Sequence, residues 1–275
     1  MLTGLYTAAS GMIIQERVQD VLAQNLATSQ MPGSRRQEAV VRSFPDVLLT
    51  ETYRGVGAAN NQARYNHAIG RVGTGAGIDW IYTENSPGQM VYSGNQDDIA
   101  LFGDGYFTVL TPDGFRFTRD GGFHVNQDGY LVNSQGHYVV GHGINQGRNP
   151  GPIQVNSNDY FVNEYGKIFV KQPVGPGQIM QDVFIDQLKI DDFKDKDKLF
   201  PESGNLFRVE ERDMDNFKIP ENLQVAQGYI ERSNSIPTTE MVKLIDSYRI
   251  HSASARVLKA LDQTLEKTVN RVAGR

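Results

Sequence analysis

Residues 111–141 read TPDGFRFTRDGGFHVNQDGYLVNSQGHYVVG. Three short polar runs in this stretch, TPDG, NQDG and NSQG, each close on a glycine and are followed by alternating aromatic and β-branched residues. Asn, Asp and Pro favour turns, and Gly supplies the backbone conformation that other residues avoid. Each run therefore predicts a tight turn feeding a strand. NEYGKIF at 163–169 repeats the pattern. The recurrence of such turns predicts an antiparallel β domain over Ile99–Arg208.

Outward from this region the composition changes. Towards the N-terminus, Leu5, Ala8, Met12, Gln15, Gln19, Leu22 and Leu26 recur at alternating steps of three and four. That spacing predicts a helix over residues 3–27 with a heptad-like stripe. Ile14, Val18 and Val21 make a second stripe on another face. Met31-Pro32-Gly33 stops the helix. Towards the C-terminus, Thr238–Ala273 contains neither Gly nor Pro. Ser235, Pro237 and Thr238 supply helix-start chemistry, and Gly274 follows the end. Met241, Leu244, Ile245, Tyr248, Ala255, Leu258, Leu261, Leu265, Val269 and Val272 mark the apolar positions of a helix roughly 50 Å long. The resulting fold class is α+β. A discontinuous helical coiled-coil domain forms from both termini around a central antiparallel all-β domain. The expected boundaries are 1–30 for the N-terminal helix, 31–98 for an extended linker with strands, 99–225 for the β domain, and 226–275 for a loop and the long C-terminal helix.

Composition narrows the function. The 275 residues carry a net charge of -5 and no cysteine. An acidic chain is a poor match for nucleic acid. Without cysteine there are no disulfides and no thiolate metal sites. The opening MLTGLYTAASGMII has no basic residue and is interrupted by Gly4, Thr7, Ser10 and Gly11. It predicts neither a cleaved signal peptide nor a membrane span, which needs about 20 apolar residues.

The candidate chemical motifs each have a plainer reading. Gly70–Gly77 (GRVGTGAG) is glycine-rich, but Ile78–Tyr82 after it is strand-like, whereas a phosphate cradle needs a helix N-terminus. His67, His124, His137, His142 and His251 show no metal-ligand spacing. Asp97, Asp98 and Asp104 read as turn aspartates. Asp191–Lys198 (DDFKDKDK) fits no calcium loop and reads as a solvated loop. No nucleophile elbow is present. The expectation is a protein with no catalytic residues, no metal and no cofactor.

Two helices with narrow apolar stripes bury too little by themselves for their length. The ends are therefore expected to be loosely ordered in a single molecule and to gain full structure when copies pack head to tail. A helical hairpin clamping the β domain is the plainer alternative.

Three blocks of the chain resemble the flagellar rod and hook proteins. They are LTGLYTAASGM with QDVLAQNLA (residues 2–12 and 19–27), the stretch Leu101–Gly141, and GYIERSNSIPTTEMVKLIDSYR (residues 228–249). Their order makes the match specific, and the size and single β domain favour the rod proteins, proximal or distal, over the longer hook protein. The resemblance implies a structural subunit of the basal-body rod in the cell envelope, exported unfolded through the flagellar type III apparatus without a cleaved signal. It implies polymerisation into a hollow, torque-transmitting shaft, with paired terminal helices lining the tube and the β domain outside. Its partners would be further copies and other rod and hook proteins, with no nucleic acid and no membrane insertion. Leu5, Met12, Leu22, Leu26, Met241, Leu244, Tyr248, Leu258 and Leu265 would carry helix packing. Asn25, Ser233, Asn234 and Glu240 would fix turns and caps. An oligomeric β-rich adhesin or envelope-binding module stays open as the alternative. An enzyme acting on wall glycan is more distant.

Overall fold

The computed structural model describes residues 2–56, 62–144, 150–155, 159–174, 179–202, 205–210, 217–218 and 223–273. The chain divides into two compact units. One comprises Met1–Gln24, Gln37–Tyr82 and Thr238–Arg275; the other comprises Asn25–Arg36 and Thr83–Pro237.

The first unit contains two helices, α1 (Leu2–Thr28) and α2 (Pro237–Ala273). Both agree with the sequence spacing. Proline opens α2, where its missing N–H costs nothing. The helices run antiparallel. A carbon added at Gly4 would lie 3.7 Å from Leu261, and one at Gly11 would lie 4.0 Å from Ser254 Oγ. The Ser247 hydroxyl donates to Gln15 Oε1 at 2.7 Å. The close approaches thus recur every seven residues on α2, at 247, 254 and 261, and at steps of seven and four on α1, at 4, 11 and 15.

The inward positions of α2 differ from the expected apolar list. Glu240, Leu244, Ser247, His251, Ser254, Leu258, Leu261 and Leu265 are buried or half-buried and follow one another in steps of three and four. Met241, Ile245, Tyr248 and Val269 are exposed. Two parallel rows on a helix share the same spacing, so spacing alone does not choose between them. The Gln15–Ser247 hydrogen bond goes with the more polar row. On α1 the second stripe is the better covered: Ile14 and Val21 are buried, as is Leu22.

Four strands complete this unit: β1 (Gln37–Ser43), β2 (Val47–Val56), β3 (Gln62–Val72) and β4 (Ala76–Thr83). β1 pairs with β4. β2 and β3 form a long antiparallel ribbon from Val47 opposite Val72 to Val56 opposite Gln62. The glycine-rich run at 70–77 spans the end of β3, the bend at 73–75 and the start of β4. At Gly75, φ is +128°, and a side-chain carbon there would lie 2.5 Å from Ser10 Oγ on α1. The glycine is there for close approach to the helix.

The second unit is an antiparallel β domain, as the turn pattern predicts. Its main sheet orders the strands 200–202, 206–208, 114–118, 106–111, 138–141, 131–133 and 123–125. A three-stranded sheet (160–162, 167–174, 179–187) and two ribbons, 99–102 with 224–227 and 90–92 with 229–231, join it. Alternation along the strands divides the apolar residues between two cores. Phe107, Val109 and Leu206 enter a large cluster with Ile99, Leu131, Val139 and Ile168. Tyr106, Phe117 and Phe207 enter an aromatic cluster with Phe193 and Leu199. A one-residue slip would exchange the two sets, so the register is strongly specified.

Three of the turns are copies of one another. Asn133 Oδ1 accepts from the backbone N–H of Gln135 (3.1 Å) and His137 (2.8 Å). Asn126 does the same with Asp128 (3.0 Å) and Tyr130 (2.8 Å), and Asn163 with Tyr165 (3.1 Å) and Lys167 (2.9 Å). The fourth, at Pro112-Asp113, is a tight hairpin in which Thr111 pairs with Gly114.

The run DDFKDKDK corrects the expectation of a solvated loop. Its first residues lie in the strand Ile190–Phe193, where Asp192 and Phe193 are buried. Lys196–Lys198 follow as a 3₁₀ turn capped by Asp195. The apolar Phe193 belongs to the aromatic core, and burial of that ring outweighs the polarity of its neighbours.

Candidate functional site

The most concentrated chemistry in the second unit is an ion-pair hub built from three distant segments. Arg35 follows the helix-stopping turn, Arg119 directly follows the strand 114–118, and Glu231 ends the strand 229–231. Arg35 Nη1 lies 2.6 Å from Glu231 Oε1, and Arg119 Nη1 lies 3.3 Å from Glu231 Oε2. All three side chains are buried. Glu231 Oε1 also accepts from the Gly88 N–H at 2.9 Å. Arg119 donates onward to the carbonyls of Gly103 (2.8 Å) and Leu101 (3.4 Å), and its guanidinium lies 5.2 Å from the centre of the Tyr106 ring.

Two guanidiniums on one carboxylate is an electrostatically tight arrangement. Burial lowers the pKa of Arg119, while Glu231 pulls it back up and Arg35 lowers it further. Arginine nevertheless holds its proton under such pressure. Burial is likewise the first cause that raises the Tyr106 pKa, with Arg119 opposing it. Arg35 Nε and Nη2 and Arg119 Nε find no acceptor among the described residues. The hub brings more donors than its acceptors can serve, so its geometry, not a surplus of bonds, keeps the charges together.

Backbone packs against backbone around the hub. Gly33, with φ +67°, would place a side-chain carbon 2.3 Å from the Asp120 nitrogen, and Gly88 would place one 1.8 Å from the Arg232 carbonyl oxygen. Asn234 ties the same segments together. Its Oδ1 accepts from the Arg36 N–H at 2.7 Å, and its Nδ2 donates to the Glu84 carbonyl at 2.9 Å. Next to it, Ser233 Oγ accepts from the Ser235 N–H at 3.1 Å. Asp120 is also buried nearby in sequence; burial raises its pKa against the N–H of Gly122 and the hydroxyl of Ser134.

The residues named from sequence distribute as follows. Asn234 and Ser233 fall in the hub's turn. Asn25 and Glu240 are buried. Leu22 is buried, while Leu5, Met12, Leu26, Leu244, Leu258 and Leu265 are half-buried. Met241 and Tyr248 stand 48% and 64% exposed, pointing away from the α1–α2 seam. Arg35, Arg119 and Glu231 were missed as site residues. Two of them lie inside the family-like blocks, but pairing residues 112 apart has no local sequence signal.

Among the described residues, no group of three or more His, Cys, Asp or Glu is arranged to hold a metal ion. No helix among them is long and apolar enough to cross a membrane. An open cleft of about 560 Å³ in the first unit is lined by Arg42, Phe44, Pro45, Asp46, Ile78 and Asp79, and its Arg42 and Asp79 pair with each other at 3.5 Å.

The described residues thus hold a β unit with a buried ion-pair hub and a long helix pair with outward apolar residues. Comparison with known proteins shows what the chain resembles. Residues 100–170 match the flagellar hook protein FlgE/F/G D1 domain, and residues 226–271 match the flagellar basal body rod FlgEFG protein C-terminal domain. Full-length similarity extends to flagellar basal-body rod proteins FlgG. The one from Buchnera aphidicola subsp. Baizongia pistaciae is 27% identical over 97% of this chain and 98% of its own. That of Borreliella burgdorferi is 27% identical (96% and 97%), and that of Bacillus subtilis 26% identical (98% and 99%). The chain is thus similar to flagellar basal-body rod proteins over nearly its whole length. Arg119 lies within the first matched region and Glu231 within the second, so the hub joins the two.

Proposed function

We propose that this rod subunit polymerises through its terminal helices, and that the α1–α2 pair acts as a coiled coil whose outward residues receive neighbouring copies. The observation that carries the reading is the outer face of α2. Met241, Val242, Ile245 and Tyr248 are all about half exposed or more on one two-turn stretch. On α1, Tyr6 and Ile13 stand 66% and 62% exposed, one heptad apart. Exposed apolar side chains at helical spacing mark a surface for other protein. The full-length similarity to flagellar rod proteins makes identical copies and other rod and hook components the fitting occupants. Repeated head-to-tail contact then builds a helical shaft that transmits torque across the envelope. Export as an unfolded chain through the flagellar type III apparatus belongs to the same proposal. Full ordering of the ends on assembly, and the absence of catalysis, belong to it too. The family match supports the rod over an adhesin.

The test is electron microscopy of concentrated protein, wild type against Tyr248→Glu. Tyr248 is exposed, so the substitution leaves the subunit folded within about 0.5 kcal/mol. Tubes are expected from the wild type and none from the variant. Tubes of equal length from both would remove this face from the contact. A trimer of fixed size at every concentration would return the adhesin reading.

A further inference from the structure

Residues 29–36, SQMPGSRR, form a strap on the second unit that is held almost wholly by polar contacts. Gly33 N–H donates to the Glu231 carbonyl at 2.8 Å. Asn205 Nδ2 donates to the Pro32 carbonyl at 2.7 Å, and Arg36 N–H donates to Asn234 Oδ1 at 2.7 Å. Arg35 reaches both Glu231 Oε1 and the Ser86 carbonyl, the latter at 2.9 Å. The Glu84 N–H donates to the Arg36 carbonyl at 2.8 Å. The strap contributes no aliphatic or aromatic side chain to either core, and its only large apolar residue, Met31, is 40% exposed.

Two features distinguish it from the rest of the unit. First, without apolar burial its release costs little hydrophobic free energy, and segments of this kind open locally before the fold as a whole. Second, most of its sockets lie late in the chain. Asn205, Glu231 and Asn234 follow the strap by about 170 residues or more. Loss of the strap also leaves the hub chargeable in a balanced way, because Arg119 stays paired with Glu231. The geometry provides one guanidinium to complete the sheet unit and a second to fasten the strap.

We propose that residues 29–36 are a clasp. It opens as a separate unit and closes only after Asn205, Glu231 and Asn234 are in place, so the segment following α1 is fastened last. This holds for a single molecule and does not depend on whether copies assemble.

Hydrogen exchange on the full-length monomer tests it. The amides of Gly33 and Arg36 are expected to exchange together, more than about tenfold faster than those of Leu131 and Ile153 in the sheet core. Asn234→Ala and Asn205→Ala are each expected to speed Gly33 and Arg36 further and to leave Leu131 and Ile153 unchanged. In pulse-labelled refolding, Gly33 gains protection after Leu131. The clasp is overturned if Gly33 and Arg36 exchange at the core's rate in the wild type. It is equally overturned if either variant moves all four amides alike, or if Gly33 is protected no later than Leu131.

Discussion

Glu231 gives one carboxylate oxygen to Arg35 and the other to Arg119. Its removal leaves two cations facing each other out of water, whereas removal of either arginine leaves a neutral pair. Glu231→Gln is therefore expected to lose on the order of 3–5 kcal/mol. Arg119→Met follows, because it also forfeits the bonds to the Leu101 and Gly103 carbonyls and the Tyr106 face. Arg35→Met loses least. Urea midpoints of the second unit, followed by tyrosine signals in the aromatic core, read the order; equal losses at all three would deny the charge argument. At this scale the sequence shows residue types but not partners. Ser34-Arg35-Arg36 has the look of a basic surface patch, and nothing local says that Arg35 is buried.

The Asn-x-x-Gly turns are legible because everything they need is local. Asn supplies an acceptor for two backbone N–H groups, and Gly takes the left-handed position that closes the turn. Asn133→Ala leaves two N–H groups without that acceptor and is expected to cost about 1–2 kcal/mol. Asn126→Ala and Asn163→Ala should cost similar amounts, since the geometry repeats. Urea denaturation of the three variants checks this, and a scatter larger than the mean would mean the turns are alike only in form. The helices were equally legible as elements, α1 from its three-and-four spacing and α2 also from a run of residues 238–273 without Gly or Pro. Their buried faces were less so. On α2, the row through Met241, Ile245 and Tyr248 is the more apolar, yet the seam runs through Leu244, Ser247 and His251. Polar residues inside a helix pair cannot be found by looking for apolar ones. The strand at DDF was hidden for a related reason: one aromatic ring decides the burial of a charged run.

Each unit is assembled from separated pieces of chain, which no single window of sequence reveals. This division gives the whole molecule two probes. The lone tryptophan, Trp80, lies on β4 in the first unit and is 60% exposed. The packed rings of Tyr106, Phe117, Phe193 and Phe207 lie in the second. Tryptophan fluorescence and the near-ultraviolet dichroism of the aromatic core are therefore expected to follow different thermal transitions, the tryptophan changing first. Coincident curves would show that the molecule melts as one. The hub carries a consequence for how such a chain can diverge. The carboxylate is the one position that cannot drift to an uncharged residue while both arginines stand, whereas residue 35 can change and leave a balanced pair behind. A lineage, or a designer, reaches a fully uncharged joint by losing residue 35 first and then exchanging residues 119 and 231 together for well-packed apolar residues of similar volume.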